Sequence, residues 1–74
     1  MAFDYSKLRG KIIEKYKSQT KFAKAMGWSE QTMSKKMNGK IPWKQTDIHK
    51  AIRLLDASES DIQEYFFKIK VQNI

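Results

Sequence analysis

The spacing between Ala23, Gly27 and Ser29 is the feature that most limits how this chain can fold. The short side chain of Ala23 lets a following helix cross closely, and Gly27 permits the sharp turn that joins two helices at roughly 90–120°. Ser29 is a preferred N-cap residue, so a new helix is expected to begin there. Met33 and Met37 are four residues apart and are predicted to face inward. The pattern therefore predicts two short helices joined by a tight turn.

Apolar residues recur every three or four positions through most of the chain, which is the period of an amphipathic helix. Only three glycines and one proline interrupt these stretches. We therefore predict an all-α fold in which five helices form one compact domain over residues 1–74. The predicted helices cover about residues 5–17, 19–26, 29–38, 44–55 and 58–66. The predicted core consists of Tyr5, Leu8, Ile12, Ile13, Tyr16, Phe22, Ala23, Met26, Met33, Met37, Ile48, Ala51, Ile52, Leu55, Ile62, Tyr65 and Phe66. Trp43, in the loop before the fourth helix, is assigned to the core rather than to a dimer interface.

The tail of the chain, residues 67–74, has a different period. Residues 67–71 read Phe-Lys-Ile-Lys-Val and alternate apolar with basic side chains, which predicts a short β-strand. A lone strand is unstable unless it pairs. It would therefore pack on its own domain or pair with a copy of itself across a two-fold axis. The alternative is that these residues continue the fifth helix.

The charge of the chain is distributed unevenly. The formal net charge is +7, and residues 1–44 carry eleven Lys and Arg against three Asp and Glu. This excess predicts a face that binds a polyanion. There is no cysteine and only one histidine, so we expect no metal site and no disulfide. We also expect no enzymatic activity and no cofactor, because no catalytic grouping or glycine-rich phosphate loop is present. No signal or membrane-spanning segment is expected, which predicts a soluble protein of the cytoplasm.

The segment from Gln19 to Gly39 resembles the lambda-repressor-like family of helix-turn-helix proteins, which includes phage repressors and Cro. The family pattern has Gln at the start of its second helix, Ala four residues later, Gly after four more, and Ser or Thr opening the recognition helix. Gln19, Ala23, Gly27, Ser29 and Gly39 match it, so the helix-turn-helix is placed at residues 19–38. The short chain and its aromatic ending also resemble small Cro-like and modulator-of-repression proteins of phages.

The resemblance implies that the third helix reads DNA bases in the major groove. The implied base-reading residues are Glu30, Gln31, Thr32 and Lys35. The implied phosphate contacts are Gln19, Lys21, Lys36, Asn38, Lys40 and Lys44. Gln31 would pair with adenine, Lys35 would donate to guanine, and the methyl group of Thr32 would contact that of thymine.

Three residues depart from what the family leads us to expect. Lys36 stands where many members have a buried Leu, and Met37 takes a place that is often polar. Either the Lys36 stem lies along the core with its amine in solvent, or the helix is rotated so that Met37 packs instead. Glu30 is a carboxylate on a face meant for DNA. It would accept from cytosine or would serve as a negative charge near the helix N-terminus.

Two specific functions follow from this reading, and the general alternative to both is a basic helical domain with non-specific affinity for nucleic acid. The first is a Cro-like repressor that binds an operator in double-stranded DNA as a homodimer within a lysis–lysogeny switch. The second is a modulator of repression, which binds a partner phage repressor and alters its choice of DNA. Glu30, Lys36 and the small size of the chain motivate the second.

Overall fold

The computed structural model describes residues 3–69 and is an all-α domain of five helices. Helix α1 spans Ser6–Tyr16, α2 spans Gln19–Met26, α3 spans Glu30–Met37 and α4 spans Gln45–Leu54. A single 3₁₀ turn at Glu59–Asp61 leads into the short helix α5 at Ile62–Phe66. The predicted fold class is confirmed. The bounds of α2 are as predicted, and those of the other helices differ from the predicted ones by up to four residues.

The helix ends follow from local hydrogen bonding. The Ser18 hydroxyl accepts from the Lys21 N–H at 3.1 Å and begins α2, and Ser29 does the same for Thr32 at 3.1 Å and begins α3. Gly27 ends α2 with a φ of 81°, a left-handed conformation that glycine adopts without strain. Its neighbour Trp28 donates its N–H to the Ala23 carbonyl at 2.8 Å. These bonds fix the turn between α2 and α3.

The core forms where α1, α2, α3, α4 and α5 meet. The buried hydrophobic residues are Leu8, Ile12, Phe22, Ala23, Met26, Met33, Met37, Ile48, Ala51, Ile52, Leu55 and Phe66. Of the predicted core, Tyr5, Tyr16, Ile62 and Tyr65 are only partly buried but pack against this cluster. Ile13 is an error in the prediction, because it is 46% exposed. It lies one residue past Ile12 on α1, and that rotation carries it from the buried stripe to the flank.

Trp43 links the helix-turn-helix to the end of the domain. Its ring lies 5.3 Å from Trp28 and 4.9 Å from Phe66, in edge-to-face arrangements. It is partly buried and packs against the core, and this position fits its assignment to the core. Trp43 is therefore one of the residues that attach the loop between α3 and α4 to the body of the domain.

The predicted strand at residues 67–71 is wrong for the part that is described. Helix α5 ends at Phe66, and beyond it only Ile69 makes an isolated antiparallel bridge with Phe3. The Asp4 N–H also donates to the Lys68 carbonyl at 2.6 Å. The segment thus pairs with its own domain at one point and neither extends into a strand nor continues the helix. Lys70 and Val71, which were part of the predicted strand, lie outside the described residues.

Among residues 3–69, no helix is both long and apolar enough to span a lipid bilayer.

Candidate interaction surface

The exposed face of α3 is the surface to which the sequence assigns base reading. Glu30, Gln31 and Lys35 are exposed on it, and Thr32 is half-buried. Helix α3 packs on α2 through Met33 and Met37, which are buried. The structure therefore brings the four predicted base-reading residues to one helix, with its opposite face in the core.

Two of these four side chains already have partners within the domain. The Glu30 carboxylate accepts from the Thr20 hydroxyl at 2.8 Å, a contact that joins the start of α3 to the start of α2. The Thr32 hydroxyl accepts from the Ser29 hydroxyl at 3.1 Å, beside the cap of α3. Gln31 and Lys35 have no side-chain hydrogen bond to any residue in the described range 3–69. Of the four, these two are exposed and have side chains with no hydrogen-bond partner among residues 3–69.

The predicted phosphate contacts fall into two groups at opposite ends of the helix pair. Gln19 and Lys21 lie in the first turn of α2, where Gln19 is half-buried and Lys21 is exposed. Asn38, Lys40 and Lys44 are exposed in the loop that follows α3. Asn38 donates weakly to the Ser34 hydroxyl at 3.4 Å. These five residues are placed where an anionic partner could reach them.

Lys36 is a correction to the sequence analysis. Its side chain is only 6% exposed, and its ammonium group donates to the Asp47 carboxylate at 2.7 Å and to the Pro42 carbonyl at 3.1 Å. The same nitrogen lies 4.8 Å from the centre of the Trp28 ring. The amine is therefore not in solvent, and Met37 is buried as well, so the two alternatives both fail as stated. We do not retain Lys36 as a phosphate contact, because reaching a phosphate would break this pair.

Asp47 completes the pair from α4. Burial by itself raises the pKa of its carboxyl group, but hydrogen bonds from the Lys36 ammonium and the Lys44 N–H, with the charges of both lysines, lower that pKa below its ordinary value. The Lys44 N–H donates to the same carboxylate oxygen at 3.0 Å. Asp47 is therefore ionised at neutral pH. The sequence offers one hint, since a lysine at an apolar position is rarely buried without a charged partner, but no local feature identifies Asp47 as that partner.

The lysines without a carboxylate partner concentrate around the helix-turn-helix. Helix α1 places its lysines beside acids, as in the pairs Lys7–Glu64 at 3.0 Å and Lys11–Glu14 at 3.3 Å. Between residues 17 and 44, by contrast, Glu30 is the only acid in the sequence. The lysines of this segment that form no ion pair within residues 3–69 are Lys17, Lys21, Lys24, Lys35, Lys40 and Lys44. This segment therefore carries most of the uncompensated positive charge.

A second exposed surface was not identified from the sequence. Phe3, Phe67 and Ile69 are 42%, 40% and 48% exposed, and we call them the terminal apolar patch. The rings of Phe3 and Phe67 meet edge to face at 5.7 Å. The sequence feature that points to this patch is the alternating segment at residues 67–71. The sequence analysis predicts that its apolar side chains pack as part of a strand.

The patch borders an open groove of about 590 Å³. The residues that line this groove are Phe3, Tyr5, Asn38, Gly39, Pro42, Trp43, Ile48, Phe66 and Phe67. It thus runs from the chain ends to the loop after α3, and its walls are mostly aromatic. Burial raises the pKa of the Tyr5 phenol, so this hydroxyl stays neutral at physiological pH.

Comparison with known proteins matches the chain to a sequence family and to solved structures. The sequence profile of the family described as "Protein of unknown function (DUF739)" matches residues 1–69. Among solved structures, the chain is similar to the solution structure of the modulator of repression (MOR) of the temperate bacteriophage TP901-1 from Lactococcus lactis. The two are 50% identical over 97% of each chain, with a TM-score of 0.82. A search among curated proteins found no significant match. The chain therefore belongs to the DUF739 family and has a phage regulatory protein, not an enzyme, as its relative.

Proposed function

We propose that this protein is a modulator of repression, which binds a phage repressor and alters its DNA binding in the cytoplasm of a bacterial host. The observation that carries the proposal is the 50% identity to the TP901-1 modulator over 97% of both chains. Identity at that level over nearly the full length of both chains, with a TM-score of 0.82, indicates a common fold and common descent. It favours this function over a Cro-like repressor that acts alone.

The geometry of α3 supports a protein partner. A helix that reads bases presents a row of free donors and acceptors to the groove. Here the Glu30 carboxylate is bound by Thr20, and the Lys36 ammonium is turned inward to Asp47. Of the polar side chains on α3, Gln31 and Lys35 remain free to contact bases. Two such side chains are few for sequence-specific recognition of DNA.

The terminal apolar patch supports the same proposal. Clustered apolar side chains on the surface of a small domain often mark a contact with another protein. Aromatic residues are enriched at the centres of such contacts, and Phe3 and Phe67 lie side by side at the edge of an aromatic groove. We propose that this patch contributes to repressor binding.

A Cro-like operator-binding function is the second candidate. The unpaired lysines between residues 17 and 44, together with the exposed Gln31 and Lys35, favour it. Its partners would be double-stranded DNA and a second copy of the chain. In that case Gln31→Ala should relax sequence preference, and Lys40→Ala should weaken binding to all sequences alike. The logarithm of the binding constant should also fall by about 0.9 per phosphate contact for each tenfold rise in salt.

Fluorescence anisotropy on labelled promoter DNA separates the two functions. The DNA is taken from the region around the gene, and a helix-turn-helix repressor found encoded next to the gene is tested as the partner. We expect the protein alone to give no sequence-specific binding, and to shift the repressor's affinity or site preference when both are present. Specific binding by the protein alone, unchanged by the repressor, would instead establish the Cro-like function.

A further inference from the structure

The loop between α3 and α4, residues 38–44, is held at several points by the last turn of α3. The Lys35 carbonyl accepts from the N–H groups of Lys40 at 2.8 Å and Ile41 at 3.3 Å, and Lys36 contacts the loop through both its backbone and its side chain. The Lys36 carbonyl accepts from the Trp43 indole N–H at 3.3 Å and from the Gly39 N–H at 3.3 Å. The Lys36 ammonium donates to the Pro42 carbonyl at 3.1 Å. Lys36 is therefore bonded to the start, the middle and the aromatic side chain of this loop.

Asp47 ties the same loop to α4. One carboxylate oxygen accepts from the Lys36 ammonium at 2.7 Å and from the Lys44 N–H at 3.0 Å. The ammonium also lies against the Trp28 ring, which packs edge to face on Trp43. The ion pair, the loop and the two tryptophans thus form one connected unit between α3 and α4.

Stability alone does not account for an ion pair in this position. Withdrawing two charges from water costs several kcal/mol per ion, and apolar side chains of similar volume often stabilise a protein as well or better. Methionine has nearly the length of lysine and would fill the same space beside Trp28. What methionine cannot supply is the directed bond to Pro42 and the link to Asp47, which fix the path of the loop.

The loop between α3 and α4 forms part of the surface that carries the aromatic groove. Pro42 and Trp43 line the aromatic groove, and Lys40 and Lys44 project as unpaired cations from the same seven residues. We propose that Lys36 is a positioning residue for partner recognition: its pair with Asp47 sets the loop so that the groove and these two cations face the repressor together. This inference rests on the proposed function and deepens it.

The test compares Lys36→Met with the wild-type protein and with Lys24→Met, which removes an exposed lysine from α2 as a matched control for charge. Three quantities are measured: the melting temperature, the hydrogen-exchange rate of the Lys44 amide, and the affinity for the repressor by calorimetry. For Lys36→Met we expect faster exchange at Lys44 and a lower melting temperature, because removing one member of a buried ion pair leaves the Asp47 carboxylate without its partner. We also expect about tenfold weaker repressor binding, which corresponds to about 1.4 kcal/mol. Lys24→Met should bind within twofold of wild type.

The double variant Lys36→Met with Asp47→Asn covers the case in which the single variant folds poorly, because it leaves no unpaired carboxylate. It should regain the melting temperature but not the affinity. Repressor affinity within twofold of wild type in either folded variant would overturn the inference, as would unchanged exchange at Lys44. If the wild-type protein itself fails to bind the repressor, the proposed function fails. The exchange rates then still decide whether Lys36 sets the loop.

Discussion

Replacing Phe66 by alanine tests how the end of the chain is held on the domain. Helix α5 has only five residues, too few to be stable without tertiary packing. Phe66 is its one fully buried side chain, at 1% exposure, and its ring meets Trp43 at 4.9 Å. The neighbouring Phe67 has the same side chain at 40% exposure and serves as a matched control.

The size of the effect follows from burial. A buried Phe→Ala substitution costs about 3–5 kcal/mol, and loss of the edge-to-face pair with Trp43 adds about 1 kcal/mol. A chain of 74 residues has a free energy of unfolding of about 4–11 kcal/mol. Phe66→Ala should therefore remove a large part of the stability, whereas Phe67→Ala should cost about 1 kcal/mol or less.

Urea denaturation followed by tryptophan fluorescence and circular dichroism measures both variants. We expect a much lower midpoint for Phe66→Ala and a near-normal midpoint for Phe67→Ala. Equal losses for the two variants, or a loss below about 1.5 kcal/mol for Phe66→Ala, would refute the placement of Phe66 as the anchor of α5.

Three further predictions concern caps, turns and pH. Ser29→Ala should lower the free energy of unfolding by about 1 kcal/mol in urea titrations, because the cap of α3 is lost, and Ser29→Asp should restore it. Gly27→Ala should lower the free energy of unfolding by about 1–2 kcal/mol, because alanine is strained in the left-handed backbone conformation of this residue. An added Cβ would meet no atom within 4 Å, so no steric clash contributes. Gly27→Asn should lower the free energy of unfolding by less, because asparagine adopts this conformation more easily. The pKa of Asp47 is lowered on folding, so its contribution to stability is present above about pH 4 and is lost as the pH falls further. Asp47→Asn should therefore be less stable than wild type at pH 7 and should lose less stability between pH 5 and pH 3.

The helix-turn-helix was predictable from the sequence because its determinants are local. Ser29 and Gly27 act through their own backbone and the next few residues, so the cap and the turn can be derived without tertiary structure. Helical period likewise identified most buried positions. It placed Ile13 wrongly, because a residue at the flank of the apolar stripe is buried or exposed according to how neighbouring helices pack.

The parts that sequence reasoning missed depend on contacts between distant elements. Lys36 and Asp47 are eleven residues apart and meet only because α4 folds back on α3. The bridge between Phe3 and Ile69 joins the two ends of the described chain. Neither contact has a local signature. The same limit applies to the candidate site, because the inward turn of Lys36 and the Thr20–Glu30 contact on α3 both depend on how neighbouring elements pack.

The central claim is that this protein binds a phage repressor, and direct observation of the complex between the two proteins tests it. The protein is mixed with a helix-turn-helix repressor found encoded next to its gene, without DNA, and the mass of the product is measured by size-exclusion chromatography with light scattering. The account predicts a stable complex of defined stoichiometry, which Phe67→Ser weakens if the terminal apolar patch contributes. Two separate peaks at micromolar concentrations, together with specific operator binding by this protein alone, would contradict it.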